Sequence, residues 1–409
     1  MRNLIHLLLF LPFCLAAQWE PGQVYREYWW VMPEDGEAFL RVGGRYGYAV
    51  NPGKLPDSLQ EGDQLLLPGL LDLEGVVRAE VTLEKVLSHE DSRDLRIAIN
   101  GHPPISVPEP TWVPVPQTEY MYHTDLTVPV PVEQLSANGP LRFQLTLDEK
   151  QRWDWPQNVF YGLCFRLYYA PAAAPPELSE LPQELPAASY LRVANPENTV
   201  SADYVLVGKE ADWSGRGHQT RKHWQTHRGK PHHTLGHSRD AASGFAVRWD
   251  TEWLPDQENI GVQARLLGTD GKYRVTEVTD GLHLAPRPYR VKIYAPGPAP
   301  RNWVTRSGEF TQTVSIPDSV QHARALQLHW TSWSPCYANG LFLNDHLIWS
   351  RTVDCYVFAT HSPTYTGLEL QYLQTGENIL KTALTPSVGG HMVHGMEVQW
   401  PGIQLKVKY

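Results

Sequence analysis

Histidine crowds one stretch of the chain. His218 is followed by His223, His227, His232, His233 and His237 inside KHWQTHRGKPHHTLGH, residues 222–237. Imidazole is the commonest metal-ligating side chain and moves protons near neutral pH. The turn RGKP at 228–231 would make the flanking segments hairpin arms, with His227 opposite His232. On such arms His223 and His227 share a face, as do His233 and His237, whereas His232 and His233 point to opposite faces. From the far end, GGHMVHGMEVQWPG (389–402) supplies His391, His394, Met396 and Glu397. Neutral imidazoles with a thioether suit copper, and imidazole with carboxylate suits zinc. His232, His233, His394 and Met396 are the candidate metal ligands. No His-Glu-x-x-His spacing accompanies them, so a polar hairpin rich in imidazole is the competing reading.

Carboxylates offer a second chemistry. In WDTEWLPDQ (249–257), Asp250 and Glu252 fall on one strand face, with Asp256 beyond the proline. Such a pair can divide acid and base roles or hold Ca²⁺, and it equally suits a solvated strand end. Glu397, close to Trp400, completes the candidate catalytic set of Asp250, Glu252 and Glu397.

Aromatic and basic residues offer a third. Trp153 and Trp155 in QRWDWPQ share one strand face, where indoles can stack on the apolar faces of pyranose rings or fill a core. Trp330 and Trp333 in LHWTSWSP fall on opposite faces, so one of them belongs to a core. Arg26 in REYWW and Arg41 in FLRVGGRYGY can line a sugar-binding groove or cap an edge strand. The candidate ligand-binding set is Trp153, Trp155, Trp333, Trp400, Arg26 and Arg41.

These side chains must be positioned by strands. LRIAING (95–101), LRFQLTLDE (141–149), FAVRWDTEW (245–253), YRVKIYA (289–295) and IQLKVKY (403–409) alternate apolar and polar residues, with Asp-Gly, Asn-Gly and Pro-Gly pairs between such runs. LLGTDGKYRVTEV carries a hairpin signal at Asp270-Gly271. Convincing helical periods are nearly absent. The two halves also echo each other. IAINGH (97–102) and LFLNDH (341–346) stand at nearly the same distance before Trp155-Pro156 and Trp400-Pro401. Between these marks ANGPLRFQL answers TGENILKTAL. The expected fold is all-β, two tandem antiparallel jelly-roll β-sandwiches at 18–169 and 189–409. Residues 170–188, APAAAPPELSELPQELPAA, form the extended Pro/Ala-rich linker between them.

Composition narrows the function classes. The 409 residues carry a net charge of −9 and no long basic run, which disfavours nucleic-acid binding. MRNLIHLLLFLPFCLAA (1–17) has the form of a secretory signal, and no later segment reaches the length of an apolar membrane span. The chain is therefore expected outside the cytoplasm or in a periplasm. Phe13 before Cys14 is bulkier than a lipid-anchor site accepts. Cys336 and Cys355 can pair in an oxidising compartment, and Cys164 reads as a buried small hydrophobe. No nucleophile elbow, phosphate loop, Cys-x-x-Cys or dinucleotide fingerprint occurs.

Tandem jelly rolls in one exported chain resemble the architecture of bacterial peptide-N-glycosidase F and of peptidylglycine α-hydroxylating monooxygenase. The resemblance to the copper enzyme implies a His-His pair, here His232-His233, and a methionine, here Met396; its His-x-His has no counterpart. The resemblance to the glycosidase implies acidic residues beside tryptophan, which Glu397 near Trp400 or Asp250 and Glu252 near Trp249 and Trp253 would supply. REYWW, FLRVGG, QRWDWPQ, WDTEWLPDQ and HGMEVQWPG are similar to segments of large secreted bacterial proteins of polysaccharide-degrading repertoires. The expectation is a protein that recognises an extracellular or periplasmic glycan or glycoprotein near the junction of two sandwiches. An amidase or glycosidase, and a copper or zinc enzyme, are the alternatives.

Overall fold

Side-chain alternation sets the architecture. In the strand Asn158–Tyr169, Leu163, Phe165, Leu167 and Tyr169 enter an apolar core, and Cys164, Arg166 and Tyr168 take the opposite face. Both sets are buried, so this strand is covered on both sides. The structure, a computed structural model, describes residues 19–31, 39–43, 47–51, 55–87, 94–108, 122–147, 158–208, 226–227, 230–231, 235–294, 309–333, 340–350, 358–383 and 398–409. Among these the protein is all-β, and its helical turns are short 3₁₀ segments.

The first sandwich closes two sheets over one core. One sheet carries Val24–Val31, Asn158–Tyr169, Val76–Leu87, Tyr122–Val130, Phe39–Gly43 and Gly47–Asn51. The facing 5-stranded sheet is built on Arg142–Thr146 and Arg96–Ile99. Trp30 meets Phe143 edge-on with ring centres 6.1 Å apart, and Phe143 meets Phe165 at 5.3 Å. Burial of each such ring contributes about 1.5–3 kcal/mol.

The last sandwich repeats the plan. Val291–Tyr294, Val398–Lys408 and Ala325–Trp333 form one side, and Glu309–Ile316, Gly376–Ala383, Gly340–Leu343 and His346–Ser350 form the other. Leu326, Leu328, Leu380 and Leu405 lie in the core between them.

Residues between the two sandwiches build more strands. Thr199–Val207, Gly236–Ser238, Ile260–Gly268 and Tyr273–Val275 extend the first sheet, because Tyr273–Val275 pairs with both Ile260–Gly268 and Val24–Val31. The result is one 12-stranded sheet. A separate apolar cluster, including Tyr204, Phe245 and Trp249, lies under this extension. The Pro/Ala-rich segment is tied down along the way: Ala172 N–H donates to the Gly22 carbonyl at 3.0 Å, and Glu184–Leu185 pairs in parallel with His283–Leu284.

Candidate functional site

A line of alternating charges crosses the non-core face of the shared sheet. Register creates it, since Arg166 stands directly opposite both Glu27 and Glu80, and Asp203 directly opposite both Arg265 and His237. Arg78 contacts Glu80 at 2.9 Å, and Glu80 accepts from Arg166 Nη1 at 2.7 Å and from the Tyr168 hydroxyl at 2.5 Å. Arg166 Nη2 reaches Glu27 Oε1 at 3.1 Å, and Arg265 Nη1 reaches the same oxygen at 3.2 Å. Arg265 Nε donates to Asp203 Oδ2 at 2.8 Å, and Asp203 Oδ1 lies 2.7 Å from His237 Nδ1. Glu27 thus ties the first sandwich to the added strands. Its side chain is 4% exposed, and those of Arg166 and Arg265 are 1% and 3%.

Burial and charge act against each other along this line. Burial alone would raise the Asp203 carboxyl, but the Arg265 guanidinium and the His237 bond hold it below the ordinary carboxylate value. Burial pushes the Tyr25 hydroxyl and the Cys164 thiol well up, so both stay protonated. Tyr25 stacks on Tyr273 at 5.2 Å, and Arg265 lies 4.5 Å from the Tyr273 ring centre. With every carboxylate on the line engaged by at least one cation, this arrangement fixes the sheet and offers little to a ligand.

A surface cleft opens at one end of the added strands. Two turns form its walls. One is Pro196–Thr199, closed by the Thr199 N–H donating to the Pro196 carbonyl at 3.0 Å. The other joins Ile260–Gly268 to Tyr273–Val275, with Gly268 N–H bonded to the Lys272 carbonyl at 2.8 Å. Only Gly271 takes a positive φ there, +74°, so the Asp-Gly signal produces a three-residue hairpin loop and not a two-residue one. Asn198 bridges the turns, accepting from the Thr269 N–H at 2.8 Å. The cleft has a volume of about 400 Å³. Asn195, Glu197, Asn198, Thr199, Asp270 and Arg274 supply its polar lining, and Pro176 and Leu266 its apolar lining.

Asp270 and Arg274 are joined by a fork. Nη1 donates to Oδ1 at 3.1 Å and Nη2 to Oδ2 at 2.7 Å. The hydrogen bonds from Arg274 draw the Asp270 carboxyl down to about 2, aided by the Lys272 N–H at 3.1 Å. The back of this turn rests on the first sandwich, where Lys272 sits 3.7 Å from the Tyr169 ring centre and 3.8 Å from Asp72.

The residues expected to do chemistry are scattered over this frame. Arg26 lies behind the same turn, paired with Asp72 at 3.5 Å, and Arg41 is buried on Phe39–Gly43. Asp250 accepts from the Glu252 N–H at 2.8 Å, capping the bend after Val247–Asp250. Glu252 pairs with Lys408 at 2.5 Å, whose ammonium sits 4.4 Å from Trp253 and 4.5 Å from Tyr289. Asp256 pairs with Arg287. Trp333 and Trp400 lie on adjacent strands of the last sandwich, opposite Val398 and Thr331. Trp330 is buried and stacks on His361 at 4.8 Å.

Trp153, Trp155, His232, His233, His394, Met396, Glu397, Cys14, Cys336 and Cys355 lie outside the described residues, as does the 1–17 leader. Among the described residues no three His, Cys, Asp or Glu side chains gather as a metal site, and no helix is long and apolar enough to cross a membrane. Sequence reasoning singled out Asp270-Gly271 only as a turn. It passed over Asn195, Glu197, Asn198 and Arg274, and the Asn-rich run ANPENTV was the available signal.

No family model matches the sequence, and no curated protein does. Among solved structures, a glycoside hydrolase family 86 enzyme in complex with neoagarooctaose aligns over 54% of this chain and 32% of its own, at 7% identity and a TM-score of 0.22. A β-porphyranase of that family from the human gut bacterium Bacteroides plebeius aligns over 58% and 37%, with the same identity and score. The ANX2 ectodomain from Arabidopsis thaliana aligns over 85% and 81%, at 8% identity and a TM-score of 0.18. The chain spans about a third of the length of the two hydrolases. Likeness at these scores carries no inference about ligand or activity.

Proposed function

We propose that the chain is an exported carbohydrate-binding protein that holds a glycan in the cleft between the 196–199 and 268–272 turns. The observation that carries this reading is the lining of the cleft. Two asparagines, two threonines, two carboxylate residues and an arginine line one open concavity. Sugar hydroxyls both donate and accept, and planar amide and carboxylate groups match vicinal pairs of them. A volume of about 400 Å³ falls within the range of small-molecule sites, roughly 300–1,000 Å³. Pro176 brings the linker to the rim, so the cleft lies where the first sandwich gives way to the added strands, the kind of junction at which ligand sites gather.

The test is titration of the purified protein with neutral, amino and acidic oligosaccharides by calorimetry. Asn195→Ala and Thr199→Val should weaken binding about tenfold each, the effect of losing one good hydrogen bond. Binding that both variants retain at full strength would move the glycan elsewhere on the surface. No heat with any oligosaccharide would remove the carbohydrate reading.

A further inference from the structure

The cleft also discriminates by charge, and this step rests on the carbohydrate reading above. Three ionised side chains line it: Glu197, Asp270 and Arg274. Both terminal nitrogens of Arg274 are committed to Asp270, and Nη1 also lies 3.4 Å from the Lys272 carbonyl. A guanidinium recognises a uronate or sulfate by presenting two parallel N–H groups, and here that fork already holds a carboxylate. Asp270 is a strong competitor for it, since the Lys272 N–H and the fork together keep the carboxylate ionised.

The other nearby cations are turned away. Arg26 and Lys272 both pair with Asp72, at 3.5 and 3.8 Å, behind the turn and against the first sandwich. With Asp270 and Arg274 cancelling, the exposed carboxylate of Glu197 sets the sign of the lining. The chain's net charge of −9 acts in the same sense at longer range.

We infer that the cleft takes neutral or amine-bearing glycans and rejects chains carrying uronate or sulfate, because Asp270 occupies the guanidinium fork that would otherwise bind them. Asp270 acts here as a specificity-determining residue, a built-in carboxylate standing where an acidic sugar would place its own.

The experiment compares wild type, Asp270→Asn and Glu197→Gln on three oligosaccharide sets of matched length: neutral, amine-bearing, and uronate- or sulfate-bearing. Asparagine keeps the turn, since Asn-Gly suits a tight loop as well as Asp-Gly does. A circular-dichroism spectrum and unfolding midpoint like those of wild type confirm the fold. Wild type should bind the acidic set about tenfold or more weakly than the neutral set, and Asp270→Asn should raise acidic binding by about tenfold. Glu197→Gln should abolish any preference for the amine-bearing set. Tighter binding of acidic chains by wild type overturns the inference while leaving the carbohydrate reading standing. So does an unchanged acidic-to-neutral ratio in a folded Asp270→Asn. Failure of all three sets to bind overturns both.

Discussion

Asn100 and Asn344 hold equivalent corners of the first and last sandwiches. Each takes a positive φ, 49° and 48°. Each donates its backbone N–H across the sheet, Asn100 to the Arg142 carbonyl at 2.8 Å and Asn344 to the Ile379 carbonyl at 2.9 Å. Each side-chain oxygen accepts the N–H of that same partner, at 3.0 and 2.8 Å. Each side-chain amide then donates to the last carbonyl of the 3₁₀ turn that precedes the partner strand, Gln134 at 2.9 Å and Tyr372 at 2.6 Å. Three bonds from one residue type at one backbone setting make this the physical content of the internal repeat.

Alanine at either corner should therefore destabilise strongly. It removes two side-chain bonds at Asn100 and three at Asn344, leaves backbone groups unsatisfied, and forces a β-carbon residue without local hydrogen bonding into a left-handed conformation. The expected loss is about 2–4 kcal/mol at each site. The two share no partner, so the losses should add in the double variant. Urea denaturation midpoints read this directly, and losses below about 1 kcal/mol at both corners would contradict it.

Glu27→Gln should be far more damaging than its exposed counterpart Glu61→Gln. Glu27 binds both Arg166 and Arg265 from a position 4% exposed, so its loss leaves two buried guanidinium groups short of a counter-charge. That costs about 3–5 kcal/mol. Glu61 pairs with Arg142 at 2.7 Å in water, with side chains 63% and 41% exposed, and contributes at most about 1 kcal/mol. Equal shifts in the two unfolding curves would show that the charged line is not what joins the sheet.

The strands were legible in the sequence because burial on one face imposes a period of two, as at Arg96–Ile99 and Arg142–Thr146. The charged line was not legible. Arg166 in GLCFRLYY and Glu27 in REYWW each read as the polar beat of an alternating strand, and only the pairing of those strands reveals that they face each other. A single chain does not state which of its strands are neighbours. The cleft was hidden for the same reason, since its walls are two turns about seventy residues apart in sequence, with Pro176 of a third segment at the rim. Asp250 and Glu252 illustrate the converse. Their spacing suggests one strand face, yet the strand ends at Asp250, which caps a bend, and Glu252 beyond it reaches Lys408 at the last strand.

Glu252→Gln is accordingly expected to act on stability and not on ligand binding. Lys408 is 11% exposed at its side chain and depends on Glu252 together with the Trp253 and Tyr289 rings. Because Glu252 is 52% exposed, solvent screening limits the loss to about 0.5–1 kcal/mol. Oligosaccharide affinity measured beside the unfolding midpoint separates the two effects. Lost affinity at an unchanged midpoint would restore Glu252 as a site residue.

His361 should give the last sandwich a measurable acid sensitivity. Its ring stacks on Trp330 at 4.8 Å and meets Trp349 at 5.0 Å, and burial lowers its pKa to about 4. In the unfolded chain the same imidazole takes up a proton near pH 6.5. Between roughly pH 6.5 and 4 the unfolded state therefore binds more protons, and stability falls as pH falls through that window. Below pH 4 both states are protonated at this site and its contribution stops changing. His361→Phe keeps a ring between the two indoles and removes the titration. The difference between wild-type and variant stability, followed by denaturation from pH 7.5 to 4, should slope through that window and be flat above it. A difference that does not change with pH would mean that His361 is protonated as readily in the folded protein as in water.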